Sequence, residues 1–307
     1  MPRPKQTVIE YRSYELPLDF PILLLSGERW HISDIKSGRL HFHNCFEIGV
    51  CDADGGTMEF YEEPREFRAG DVTCIGRNVP HTTYSAPGQK SHWTYLFLDP
   101  QSLLGASFQD LLVGGRMLDK MLQDSHLILP GREYPQIHQL ACAVIREMID
   151  KKADYQLCVK GLCLSLLIEL MRVYSQQGRR EEPKKGEITL PIAPALNYIR
   201  ENYMYDFPME HLAELCHLSP THFRRIFHET MQVSPLKFLH TTRVMESCIL
   251  LCSTEGSIAA VSEQVGYLSV SSYNRHFLEI IGRAPAQWRR SMLPIAKPSI
   301  LEYTGWV

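Results

Sequence analysis

Between Met209 and Phe227 the chain reads MEHLAELCHLSPTHFRRIF, and its apolar positions fall into two helical registers separated by a tight turn. Met209, Leu212, Ala213 and Cys216 stand at i, i+3, i+4 and i+7, one face of a helix. Phe223, Ile226 and Phe227 give the next helix its buried face. His217, Leu218 and Ser219 make the turn. Ser219 suits an N-cap, and Pro220 suits the first helical position, where its missing N–H costs nothing. Thr221, Arg224, Arg225 and His228 are left facing outward. Taken alone, the pattern is either a plain helical hairpin or a helix-turn-helix whose second helix reads DNA.

The pattern occurs twice. Ile258, Val261 and Val265 repeat the spacing of Met209, Leu212 and Cys216, with Ser257 as the N-cap. Tyr273 and Phe277 lie 50 residues after Phe223 and Phe227, Pro285 lies 50 after Pro235, and Ile258 lies 49 after Met209. The second turn, opened by Gly266 and Tyr267, is therefore one residue longer. A repeat of this length marks two copies of one supersecondary unit. The outward set of the second copy is Ser271, Asn274 and Arg275. Arginine matches the O6 and N7 acceptors of guanine, and asparagine matches adenine, in the major groove.

From about Ile192 to Arg290 the chain resembles the AraC/XylS family of bacterial transcription regulators. The resemblance rests on FRRIF, then QVSP, then Arg243 and the pair Leu250-Leu251 in a long linking helix, then VGY, YNRHF, GRAP and WRR. Three positions depart from the family pattern: Gln232 stands in place of Gly, Ser247 in place of Ala, and Ala284 in place of Ser. Arg243 is expected to be a structural ion-pair residue. Phe223, Phe227, Tyr273, Phe277 and Trp288 are expected to be core. The resemblance implies double-stranded promoter DNA as a partner, a homodimer, and, for an activator, RNA polymerase.

Residues 1 to about 100 follow a different period. ILLLS, FEIGVC, TMEFYEE, DVTCIG and HWTYLFL are short β-branched and aromatic runs. Turn signals separate them at Ser37-Gly38, Asp54-Gly55-Gly56, Ala69-Gly70-Asp71 and Ala86-Pro87-Gly88. Many short strands at even spacing predict a small barrel or jelly roll. Helical spacing takes over at 135–151 and 154–177, where Leu157, Leu162, Leu164, Leu166, Leu167, Leu170 and Met171 make an apolar surface. Such a surface serves either a cap on the barrel or, as the family resemblance implies, a dimer. Residues 178–189, GRREEPKKGEIT, have the composition of an exposed linker. The expected fold class is α+β with two domains. A cupin-like sensing barrel takes residues 1–105 and a helical dimerisation or cap segment 106–180. A linker at 181–189 leads to an all-α domain with two helix-turn-helix units at 190–296.

Composition changes the picture in two places. The net charge is −3, and from Leu190 onward ten Lys and Arg balance ten Asp and Glu. DNA binding therefore rests on where charges sit, since phosphate neutralisation supplies most non-specific affinity. The nine cysteines are scattered with no C-x-x-C pair, the pattern of reduced thiols in the cytoplasm. No signal peptide or membrane span is expected.

The barrel carries the remaining chemistry. His41-x-His43-x-x-x-Glu47, followed later by Pro80-His81, resembles the two cupin motifs and the sensory half of AraC-type regulators. Strand alternation puts His41 and His43 on one face. His41, His43, Glu47 and His81, with Trp93 and Tyr95, are the candidate effector-binding residues; Trp30 and Tyr84 are further walls. The same four polar residues are the candidates if a metal is present, since imidazole and carboxylate suit transition metals. No cofactor is expected, no metal is assigned, and no catalytic residue is assigned. The expected function is a cytoplasmic, ligand-responsive activator that binds specific DNA and a small-molecule effector. The alternatives are a metal-dependent cupin enzyme with an attached DNA-binding unit, and a regulator that senses through protein partners.

Overall fold

A computed structural model describes residues 8–28, 30–61, 63–105, 115–177, 190–292 and 300–302. The chain divides into two compact units, Met1–Leu190 with Pro298–Val307, and Pro191–Lys297. The linker expected at 181–189 lies outside the described residues.

Unit 1 is built on two sheets. The first runs in the order β1 (Val8–Arg12), β4 (Arg39–His43), β9 (His81–Ser85), β6 (Gly55–Phe60), β7 (Glu63–Arg68). The second runs β11 (His126–Leu129), β8 (Val72–Ile75), β5 (Phe46–Ala53), β10 (Ser91–Leu98), β2 (Ile22–Ser26), β12 (Ile300–Glu302), with β3 (His31–Ile32) also paired to β10. Gly38, Asp54, Gly70 and Gly88, four of the expected turn positions, take left-handed backbone.

The second sheet is buried on both faces, which is why its strands read as continuous apolar runs rather than alternating ones. Ile22, Leu24, Phe46, Ile48, Val50, Leu96 and Leu98 point into one core; Leu23, Leu25, Cys51, Trp93, Tyr95 and Phe97 point into another. The first core is closed by helices α1 (Pro100–Leu104), α2 (Gly115–Asp124), α3 (Pro135–Asp150) and α4 (Tyr155–Gln177). Val144, Met148, Leu166, Leu167 and Leu170 are fully buried against the sheet. Much of the apolar surface at 157–171 thus caps the sheet, while Leu157 stays 72% exposed. The second core lies between the sheets.

Of the expected barrel or jelly roll, the two facing sheets are present and the barrel is not closed. Among the described residues, no ladder joins edge strand β7 to edge strand β11. A side chain bridges them instead: Arg65 Nη1 donates to the His126 carbonyl at 2.9 Å.

Unit 2 is all helical: α5 (Ala193–Asn202), α6 (Met209–Leu215), α7 (Pro220–Met231), α8 (Pro235–Ser253), α9 (Ile258–Gln264), α10 (Val270–Ile281) and α11 (Pro285–Met292). The internal repeat is visible helix by helix. α6 and α9 have 7 residues each, α7 and α10 have 12 each. Phe223 and Phe227 stand 5.5 Å apart between ring centroids, as do Tyr273 and Phe277. Phe227 meets Phe238 at 5.8 Å, and Phe277 meets Trp288 at 5.9 Å. The same aromatic triplet therefore holds each copy. Among the described residues, no helix is long and apolar enough to cross a membrane.

Candidate functional site

Each second helix of the repeat is set by a serine cap. Ser219 Oγ accepts from the His222 amide, and Ser269 Oγ from the Ser272 amide. Such caps satisfy donors that the first turn cannot, for about 1 kcal/mol each. Ser257 caps α9 and Ser234 caps α8 in the same way. The two turns differ by one residue, as the spacing predicts, and each needs one left-handed residue. His217 supplies it in the first (φ 53°) and Gly266 in the second (φ 88°). A Cβ on Gly266 would come 2.6 Å from the Met204 carbonyl oxygen, so only glycine fits there.

With the aromatic side of each helix buried, the opposite side faces solvent. Thr221, Arg224, Arg225 and His228 on α7 are exposed, and so are Ser271, Asn274 and Arg275 on α10. The arginines of α7 are partnered within the chain. Arg225 Nη1 donates to both carboxylate oxygens of Glu229, at 2.9 and 3.0 Å, and Arg224 Nη2 to Glu210 Oε1 at 3.2 Å. Arg275 Nη2 lies 3.3 Å from His276 Nε2. Exposed pairs of this kind hold little energy, so a DNA phosphate or base edge can displace them. The Arg225 pair has helical i,i+4 spacing and was legible in the sequence. The Arg224 pair spans the turn and was not.

The second candidate site lies between the sheets of unit 1. His41 and His43 share one face of β4, and His41 stands directly opposite His81 on β9. Their rings form a triangle with centroids 4.3, 4.9 and 5.2 Å apart. Glu47 comes from β5 in the other sheet, where it pairs in register with Phe97 and Ile75. Its Oε2 lies 3.2 Å from His43 Nε2 and 3.8 Å from His81 Nε2. Burial pushes the Glu47 carboxyl up to about 8 and His81 down to about 4. It also holds His41 and His43 well below the ordinary histidine range, with His81 adding to the effect. Burial thus favours the uncharged forms, a protonated carboxyl among neutral imidazoles.

An aromatic ladder leads to the cluster. Trp93, Tyr95 and Phe97 alternate along β10, with Trp93 stacked on Tyr95 at 5.3 Å and Tyr95 on Phe97 at 6.1 Å. Phe97 in turn meets His43 at 5.5 Å, and Trp30 meets Tyr95 at 5.2 Å. Gly49, in register with Tyr95, leaves room for that ring: a Cβ there would fall 2.7 Å from Tyr95 Cε1. Tyr84 is not part of this wall. It alternates out of step with His81 on β9 and lies under Lys36, whose Nζ is 5.8 Å from the ring centroid.

Residues 212–291 match the family model described as a helix-turn-helix domain. An HTH-type transcriptional regulator of Haemophilus influenzae is 28% identical over 281 residues, which cover 86% of this chain and 91% of that protein. An AraC-like transcription regulator of Streptomyces antibioticus is 21% identical over 283 residues, 90% of this chain and 82% of its own. Over most of its length the chain is thus similar to HTH-type and AraC-like transcription regulators, and residues 212–291 carry their helix-turn-helix domain. Among solved structures, the DNA-binding domain of AdpA in complex with a target DNA is 29% identical, covers 33% of this chain and 91% of that domain, and superposes with a TM-score of 0.32.

Two roles in the chain differ from expectation or were missed. Arg243 on α8 is structural, but it holds backbone carbonyls. Its Nε donates to Tyr203 O at 2.6 Å and its Nη2 to Tyr205 O at 2.9 Å, and its guanidinium lies 5.5 Å from the Tyr267 ring. The carbonyl ends of the turn after α5 are an attraction that residue spacing does not reveal. Tyr14 was missed altogether. Its ring meets His43 at 5.5 Å and stacks on Phe97 at 3.9 Å, held there by two backbone bonds to the Asn44 side chain.

Proposed function

We propose that this protein is a ligand-responsive, sequence-specific activator that works in the cytoplasm as a homodimer and contacts RNA polymerase. The observation that carries the DNA-reading part is the repeated exposure pattern: α7 and α10 bury aromatics at matching positions and present Arg225 and Arg275, 50 residues apart, to solvent. Thr221, Arg224, Arg225 and His228 face one major groove and Ser271, Asn274 and Arg275 the next, about 34 Å along the duplex. The effector site is the interior set His41, His43, Glu47, His81, Trp93 and Tyr95, a polar floor under an aromatic wall. The named relatives are transcription regulators, which supports a binding protein rather than an enzyme.

DNA selected from a random pool supplies the test. Replacing Arg225 or Arg275 by Ala should cost about 1–3 kcal/mol on the selected site and relax base preference there. If both variants bind that site as tightly as the parent, these faces do not read it.

A further inference from the structure

Thr221, Arg224, Arg225 and His228 recur 50 positions later as Ser271, Asn274, Arg275 and Leu278. The burial of the two helices repeats with them. Phe223 and Phe227 are inside, as are Tyr273 and Phe277; Arg224, Arg225 and His228 are exposed, as are Asn274, Arg275 and Leu278. Leu278 thus stands on α10 where α7 has His228, and it is 53% exposed.

A lone exposed leucine is ordinary on a protein surface, and Leu278 is singled out by its position rather than by its exposure. At about 100° per residue, Asn274, Leu278, Ser271 and Arg275 follow one another around the helix at roughly 40°, 80°, 100° and 140° from Val270. The leucine therefore sits in the middle of the polar face. Tyr273 and Phe277 point away from it, at roughly 300° and 340°. Ser271, Asn274, Arg275 and Leu278 are spaced i, i+3, i+4 and i+7, the set with which a helix lying in a major groove reaches base edges. Together with Pro285 and Ala286, Asn274, Arg275 and Leu278 border an open groove of about 620 Å³.

Leucine has no donor or acceptor, so on a face that reads bases it recognises apolar surface. In the major groove that surface is the C5-methyl group of thymine. Its neighbours Asn274 and Arg275 are suited to adenine and guanine. A phosphate contact, the other use of a residue on such a face, needs a hydrogen-bond donor that leucine lacks.

We propose that Leu278 reads thymine: its side chain packs on the C5-methyl group of one thymine in the major groove. It does so on the reading, given above, that α10 enters that groove. The first copy brings the imidazole of His228 to the matching place, so the thymine belongs to the half of the site that α10 covers.

Full-length protein and DNA selected from a random pool supply the test. Each thymine of the selected site is replaced in turn by deoxyuridine, which keeps the base pair and removes only the methyl group. The parent should lose about fourfold in affinity at one position, the worth of one buried methyl group. Leu278→Ala should stay folded by circular dichroism, since the side chain is exposed. It should bind the unmodified site more weakly and be indifferent to uracil at that position, a coupling that two independent effects would not show. The position should lie in the half of the site that answers to Arg275→Ala and not in the half that answers to Arg225→Ala. If Arg275→Ala binds as tightly as the parent, α10 does not read the site and Leu278 falls with it. If Arg275→Ala weakens binding but no uracil substitution acts through Leu278, the thymine contact alone is overturned. A uracil effect that persists in full in Leu278→Ala also overturns it, placing the methyl group against another residue.

Discussion

At the scale of single residues, the two copies of the helix-turn-helix meet the same backbone demand with different side chains. His217 and Gln232 occupy left-handed conformations (φ 53° and 57°) where the second copy has Gly266 and Gly282 (φ 88° and 79°). A non-glycine residue there costs roughly 1–2 kcal/mol. His217→Gly should therefore raise stability by about 1 kcal/mol, part of the relief being offset by a freer unfolded chain. Gly266→Ala should lose more than ~2 kcal/mol, because strain adds to the contact with the Met204 carbonyl. Urea midpoints at unchanged slope measure both. Gln232 stands where the family pattern has Gly, and the turn is kept at a cost. The replacement of Ser by Ala at 284 has a plainer effect. α11 begins without the hydroxyl that Ser234 gives α8, whose oxygen accepts from the Lys237 amide.

At the scale of elements, legibility followed apolar composition. The helices of unit 2 and the buried strands β2, β5, β8 and β10 show in the sequence because one pattern dominates each. β7 (EPREFR) and β9 (HTTYS) do not, since they are polar and owe their conformation to their ladder partners. The shared face of His41 and His43 followed from alternation alone. That Glu47 would come from the opposite sheet did not, because facing contacts between sheets leave no period in a single strand.

One contact between elements carries a pH dependence. His240 on α8 stacks on His276 of α10 at 3.8 Å, and its Nδ1 lies 3.2 Å from the Tyr267 hydroxyl. Burial first, then His276, Arg243 and Arg275, lower its pKa to about 4. The unfolded chain, near 6.5, then takes up the proton more readily than the folded one. The stability this group contributes is present above pH 6.5 and is lost as the pH falls toward 4. His240→Gln cannot titrate. Relative to the parent, its denaturation midpoint should rise as the pH is lowered through that window and stay level above pH 7. A constant difference across the whole range would remove His240 as the titrating group.

At the scale of the whole molecule, the dimer is the assembly to test. Leu157 is 72% exposed and Ile149 55% exposed on helices whose other sides cap the sheet, so a partly apolar surface remains. Full-length protein should sediment as a dimer at micromolar concentration, and a fragment covering Pro191–Lys297 as a monomer. A monomeric full-length chain would leave that surface without its proposed use. The near-neutral charge from Leu190 onward bears on the same scale. With ten Lys and Arg balanced by ten Asp and Glu, binding to random DNA should be weak and the salt slope shallow, leaving discrimination to the two outward faces.

Strand β12 has a practical consequence for anyone handling the protein. Ile300–Glu302 runs parallel to β2, with Ile300 opposite Leu24 and Leu301 opposite Leu25. The chain thus leaves unit 1, forms unit 2, and comes back to unit 1. Trimming residues from 298 onward would not merely shorten a tail. It would strip one side of β2 and leave a bare, apolar strand edge of the kind that recruits other chains.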